Sequence, residues 1–400
     1  MVFLCIILVL FIIFLWLCLD FILGEKNHLN QLETSPVVYP DRKADVSWFD
    51  TGEDFYQTYF EDVRSAVDHI HILFFIFRND SIGSQLIDLL VEKAAKGVTV
   101  RVLVDRMGAG MNRKGRNRLK NAGIHFSYSQ KIELPYLFYS LNRRNHRKIT
   151  VVDGRIGYVG GFNIGDEYLG RDPKLGFWRD FHLRLEGDGV QDLQAQFLED
   201  WSRENNEYSS RQPRYYPELK EGKQRCHFVS TDAKGLVDSF AKAIQQAQHY
   251  IYIGSAYFIP GATIQDTLLA ALKRGVEVSI LLPEKRDHPL VKEASLSYLE
   301  ELLQAGANVY HFQDGFFHAK ALVIDDNYCD VGSANFDLRS FHLNNEMNTL
   351  IWDSGLFHTV KNTLEEDMQR STLLKVKDLQ NRPIVIRFKE KVAHAVEKFL

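Results

Sequence analysis

Asn145-His146-Arg147-Lys148-Ile149-Thr150-Val151-Val152-Asp153 and Phe317-His318-Ala319-Lys320-Ala321-Leu322-Val323-Ile324-Asp325 are one stretch written twice, and reading them together decides the fold. Both have the form His-x-Lys-x-x-x-x-Asp. Gly160 and Gly332 follow seven residues after the aspartates, with Asn163 and Asn335 three residues further on. The copies lie 318 − 146 = 172 residues apart. A single copy would arise by chance in about one chain in twenty of this histidine content. Two copies with matching glycines and asparagines do not, so the chain predicts an internal duplication.

The flanks repeat too. An apolar strand, His71-Ile72-Leu73-Phe74-Phe75-Ile76-Phe77, follows a helix ending near Ser65, and Tyr250-Ile251-Tyr252-Ile253 has the same setting in the second half. Helical stretches over residues 84–96 and 264–274 each close on a glycine before a β-branched run, Gly97-Val98-Thr99-Val100 and Gly275-Val276-Glu277-Val278. Glycine ending a helix ahead of such a run marks a helix-to-strand passage. Second helices end at Ala122-Gly123 and Ala305-Gly306. Alternating strands and helices predict an α/β sandwich in each half. The polar region around Ser202 to Arg214, with Pro213, is the expected join.

The repeated motif carries chemistry. Residues two apart on a strand share a face, which sets His146 beside Lys148 and His318 beside Lys320. An imidazole can attack phosphorus or pass a proton near neutral pH. A neighbouring lysine stabilises negative charge on phosphoryl oxygens, and an asparagine amide can donate to the same oxygens. Asp153 and Asp325 can pair with the lysines or orient neighbouring groups. Two such sets suit a two-step phosphodiester exchange, in which one histidine forms a phosphohistidine and the other moves protons. Neither step calls for a metal or cofactor.

The chain has 400 residues, 25% charged, with a formal net charge of -4. No global basic surface therefore draws in nucleic acid. Cys5, Cys18, Cys226 and Cys329 form no Cys-x-x-Cys pair, so neither a disulfide framework nor a zinc site is indicated. Residues 1–19 hold no charged side chain; Asp20 interrupts the apolar run and Phe21-Ile22-Leu23 resumes it. About 20 such residues span a bilayer core. No basic residue precedes the run and no Ala-x-Ala follows it, which favours an uncleaved anchor over a signal peptide. Lys26, Arg42 and Lys43 beyond it place the main domain on the cytoplasmic side.

At these motifs the chain resembles the phospholipase D superfamily, and in finer detail the bacterial cardiolipin synthases of the shorter, single-anchor type. The resemblance rests on Arg144-Asn145-His146-Arg147-Lys148-Ile149, Gly160-Gly161-Phe162-Asn163-Ile164-Gly165-Asp166-Glu167-Tyr168 and Trp178-Arg179-Asp180. In the second half it rests on Phe317-His318-Ala319-Lys320, Gly332-Ser333-Ala334-Asn335-Phe336-Asp337, Asn345-Glu346 and Arg387-Phe388-Lys389-Glu390. It implies two phospholipase D-like α/β/α sandwich halves packed with pseudo-twofold symmetry. The expected boundaries are an anchor over 1–24, a linker over 25–46, and halves over 47–210 and 211–400. His146 would be the nucleophile and His318 the acid and base, with Lys148, Asp153, Lys320 and Asp325 completing the catalytic set. Asn163, Asn335, Ser333, Asp180 and Glu346 would bind phosphate or support the histidines, the two acids by fixing imidazole tautomers. The implied reaction joins two phosphatidylglycerols into cardiolipin and glycerol at the cell membrane, without metal, cofactor or nucleic acid. The paired motif also fits a hydrolase of the same superfamily, either a phospholipase D or a phosphodiesterase.

Two further segments bear on the membrane. Leu134-Pro135-Tyr136-Leu137-Phe138-Tyr139, followed by Arg143, Arg144, Arg147 and Lys148, suits either a lipid–water interface or a buried loop. Phe388, Val392, Val396 and Phe399 share one helical face, which suits either an interfacial helix or one docked on the domain.

Overall fold

Strand His69–Phe74 is buried along its whole length and pairs in parallel with Thr99–Asp105, as its unbroken apolar run requires. The computed structural model describes residues 2–32, 36–207, 212–380 and 382–400. Around that first strand, one sheet runs in the order His125–Ser129, Thr99–Asp105, His69–Phe74, Ile149–Val152, Ile156–Gly160, Trp178–Gly187, Arg42–Thr51. The second half repeats the order with Asn308–Phe312, Glu277–Pro283, Tyr250–Gly254, Ala321–Ile324, Tyr328–Gly332, Asn345–Ile351, Gln224–Asp232. In each, three strands are parallel and the remainder antiparallel. The duplication seen in the motifs is thus a duplication of the whole sheet.

Helices cover the sheets. Gly52–Ser65 is capped by Thr51, whose hydroxyl accepts the Asp54 N–H, and Ser81–Ala95 by Asp80, whose carboxylate accepts the Gly83 N–H. Gly97 and Gly275 end corresponding helices with φ of 88° and 89°, a conformation an L side chain resists. A large apolar core lies between the halves, joining Leu73, Val151 and Phe181 to Phe317, Val323 and Met347. Each half also has its own core on the far side of its sheet.

Several expected boundaries shift. The first strand begins at His69 and ends at Phe74, because Phe75, Ile76 and Phe77 turn away: the Ile76 N–H donates to the Asn163 side chain and that of Phe77 to the Ala109 carbonyl. The regular strands after the motif histidines begin only at Ile149 and Ala321. Within the expected linker over 25–46, the described residues at both ends belong to regular elements. The N-terminal helix continues to Gln31, and Arg42–Thr51 is a full strand whose first residues pair with Gln224–Asp232 of the other half. The expected boundary at 210/211 lies outside the described residues; the preceding helix, Val190–Asn205, runs into the region expected to be the join. The C-terminal helix ends at Ala395, so Val396 and Phe399 do not extend its stripe. It docks through Ala393 and leaves Phe388 two-thirds exposed.

Candidate active site

The motif segments sit where the two halves exchange backbone hydrogen bonds. The His146 N–H donates to the Asn345 carbonyl at 2.9 Å, and the His318 N–H to the Arg179 carbonyl at 2.7 Å. Each motif therefore lies along the carboxylate-bearing strand of the opposite half. The next residues on those strands are Glu346 and Asp180. Glu346 Oε2 stands 3.0 Å from His146 Nδ1, and Asp180 Oδ2 stands 2.5 Å from His318 Nδ1. The support is crossed: each histidine takes its carboxylate from the other half.

Burial raises Asp180, but Lys320 and His318 outweigh it and hold the carboxylate below its usual range. Burial likewise raises Glu346, and His146, Lys148 and Ser333 more than offset it. An ionised carboxylate accepts Nδ1–H, which turns Nε2 outward as the reactive nitrogen. The imidazoles themselves are kept neutral. Burial brings His318 down to about 4, with Lys320 adding to the effect and Asp180 opposing it. Burial also lowers His146 against the pull of Glu346. Phe75 stands edge-on to His146 at 5.0 Å and Trp178 tilts over His318 at 4.8 Å, holding the rings in place.

His146, His318, Asn163 and Asn335 line one cavity of about 840 Å³ together with Arg78, Arg144, Arg286 and Arg339. Asn163 Oδ1 accepts the Ile76 N–H, whereas Asn335 Oδ1 is buried with no hydrogen-bond partner among the described residues. The lysines lie beneath the histidines, fully buried. Lys148 Nζ reaches back to the His146 carbonyl at 2.7 Å, and Lys320 Nζ is 3.8 Å from Asp180. Burial, with Lys320 nearby, brings Lys148 down to about 7 against the pull of Glu346. Ser333 donates to Glu346 at 2.5 Å and accepts the Met347 N–H, so it steadies the carboxylate.

Asp153 and Asp325 stand elsewhere, which corrects their placement in the catalytic set. Asp153 accepts the N–H groups of Val67, Asp68 and His69, each at 2.8 Å. Asp325 accepts those of Gln248, His249 and Tyr250. Neither meets a motif lysine; each ties down the turn that feeds the first strand of its half.

Other groups escaped the sequence reading. Arg147, in the segment read as either a lipid–water interface or a buried loop, is fully buried and binds Asp200, Ser230, Asp232 and the Glu346 carbonyl, clamping the halves behind the site. Arg144 is held by Asp105, whose other oxygen accepts the Asn145 N–H. Its sequence signals were its place two residues before the motif histidine and in the basic run that follows Tyr139.

The sequence pattern of the family described as "Cardiolipin synthase, PLD-like domain" matches residues 59–201 and 240–368, one match in each half. The chain belongs to that family. It is 38% identical to the minor cardiolipin synthase of Bacillus subtilis (strain 168) over 100% of both chains. It is 38% identical to a cardiolipin synthase of Oceanobacillus iheyensis, over 94% of this chain and 81% of that one. Among solved structures it resembles a phosphatidylserine synthase of Haemophilus influenzae Rd KW20, with a TM-score of 0.71, 17% identity and coverage of 94% and 99%; this likeness bears on fold alone. With relatives named cardiolipin synthases along its whole length, the chain is a phosphatidyltransferase.

Proposed function

We propose that the protein is a cardiolipin synthase that transfers a phosphatidyl group from one phosphatidylglycerol to the glycerol hydroxyl of another. The observation that carries this reading is the pair of neutral histidines facing one cavity, each aimed by a buried carboxylate of the opposite half. The family resemblance assigns the nucleophile to the first motif. His146 Nε2 attacks phosphorus, the phosphorus–glycerol oxygen bond breaks, and His318 Nε2–H gives its proton to the leaving oxygen. The incoming hydroxyl then loses its proton to His318, its oxygen attacks phosphorus, and the phosphorus–nitrogen bond breaks. Cardiolipin and glycerol leave, and His318 again holds the proton.

A histidine with a free-enzyme pKa near 4 is a poor acid source at neutral pH, so the substrate must supply the missing bias. A phosphodiester carries one negative charge. A negative charge close to the ring favours the imidazolium, so bound lipid raises His318 above its free-enzyme value. Lys148, Lys320 and the cavity asparagines supply the field that stabilises charge on the phosphoryl oxygens.

Helix Val2–Gln31 is long and apolar enough to cross a membrane. We read it as a single-pass anchor in the cell membrane with the catalytic domain on the cytoplasmic side, from the basic residues that follow it. Incubating the detergent-solubilised protein with labelled phosphatidylglycerol and EDTA, followed by lipid mass spectrometry, tests the reading. Cardiolipin plus glycerol is the expected outcome. Phosphatidic acid plus glycerol would make water the acceptor and move the protein to the phospholipases D.

A further inference from the structure

Asp20 is the single charged residue between Val2 and Leu23, in a helix whose outer residues are half exposed. A carboxylate at such a depth is rare unless it has a partner and a purpose. Asp20, Phe21, Gly24 and His28 are buried while Ile22 and Leu23 are not. Steps of three and four residues put these positions on one helical face.

All four meet one residue. Asp20 Oδ1 accepts the Tyr139 backbone N–H at 2.8 Å. The Phe21 ring stands edge-on to the Tyr139 ring at 5.4 Å. His28 Nδ1 and the Tyr139 hydroxyl are 2.9 Å apart. Gly24 makes the approach possible, since a Cβ there would lie 2.6 Å from the Tyr139 Cβ. Phe21 also packs on Phe399 at 4.8 Å, and Phe399 lines the catalytic cavity. Tyr139 belongs to the short helix Leu137–Asn142, whose final carbonyl accepts from the cavity residue Arg339. His146 follows four residues after that helix.

We propose that Asp20, Gly24 and His28 form a positioning clamp on Tyr139, which fixes the catalytic cavity at the bilayer surface so that lipid headgroups reach it without leaving the membrane. The proposal rests on the reading of the substrate as a membrane phospholipid. Each methylene drawn out of a bilayer costs about a factor of four in capture, so three cost about sixtyfold. A domain swinging on a loose tether would incur that cost; a docked one avoids it. A short-chain lipid free in solution incurs none in either case.

The test compares full-length wild type, Asp20→Ala and Gly24→Leu on long-chain phosphatidylglycerol in vesicles and on dihexanoyl phosphatidylglycerol below its micelle concentration. Turnover in vesicles is expected to fall by at least about tenfold in both variants, with dihexanoyl turnover within about twofold of wild type. Hydrogen exchange at the Tyr139 amide is expected to quicken in both. Equal losses on both substrates, or vesicle turnover preserved while the amide is released, would overturn the clamp as a positioning device. A wild type that converts neither lipid overturns the functional reading instead; unchanged Tyr139 exchange in both variants would then still overturn the clamp.

Discussion

His146 and His318 differ from the other buried histidines in what their nitrogens meet. His182 is also fully buried and pushed down to about 3 by burial, yet neither of its ring nitrogens has a partner among the described residues. The motif histidines each present Nδ1 to a carboxylate, and both residues line the cavity. His146→Ala and His318→Ala are each expected to lower turnover of phosphatidylglycerol by several orders of magnitude with the fold intact. Glu346→Gln and Asp180→Asn are expected to cost about 10²–10⁴ in kcat, since the amide aims the imidazole less well and stabilises its cation less. Circular dichroism beside the kinetics separates these losses from unfolding. Binding should also move a proton. Free His318 titrates near 4 and is neutral at pH 6. A bound anion raises its pKa, so a phosphonate analogue of the lipid is expected to take up a substantial fraction of one proton at pH 6. Calorimetry in two buffers of different ionisation enthalpy measures that uptake, and proton release would contradict it. At this scale nearly all of the site was legible, because imidazole, amine and amide at fixed spacing serve few other chemistries. The exceptions are instructive. Asp153 and Asp325 share the motif's spacing but serve the backbone, and sequence spacing does not distinguish a carboxylate facing an amine from one facing amides.

At the scale of elements, those two aspartates mark where each half begins its first strand. Burial raises Asp325, but three backbone N–H donors hold its carboxylate below the usual range. A group whose folded pKa is depressed adds stability above its unfolded pKa, and that stability is lost as pH falls through the folded value. Asp325→Ala is therefore expected to cost about 1–3 kcal/mol at neutral pH, through amides left without an acceptor. The deficit relative to wild type should shrink on acidification below the ordinary carboxylate range. Urea denaturation at several pH values checks this, while kcat of the folded variant should stay within a few-fold of wild type. Helix ends at Gly97 and Gly275 were readable because they depend on local backbone conformation. The early start of strand His69–Phe74 and the strand over Arg42–Thr51 were not, because pairing partners elsewhere in the chain, not their own residues, define them. The C-terminal helix docks on the domain, one of the two arrangements its stripe allowed, but through a different face. Its docking surface is set by Ala393 against the neighbouring helix, with Ser297 meeting His394, and not by its largest apolar side chains.

The whole molecule explains why the motif occurs twice. One half alone would carry a histidine without its carboxylate, because Glu346 serves His146 and Asp180 serves His318. Duplication visible as a repeat of residues becomes, in three dimensions, an exchange of support across the interface. Nothing in a linear repeat says whether the copies support themselves or one another. Arg147 strengthens the same interface from behind, bridging Asp200 of its own half and Asp232 of the other. In the proposed mechanism one histidine bonds to phosphorus and the other moves protons, and a lipid ester with p-nitrophenol as leaving group isolates the first step from its need for an acid. Mixed with excess ester, His318→Ala is expected to release one equivalent of p-nitrophenolate in a burst and to carry the phosphatidyl group on His146, as read by peptide mass spectrometry under alkaline conditions. His146→Ala is expected to show no burst. A burst in His146→Ala with the lipid on His318, or product formed by wild type with no phosphorylated histidine at any time, would contradict the account.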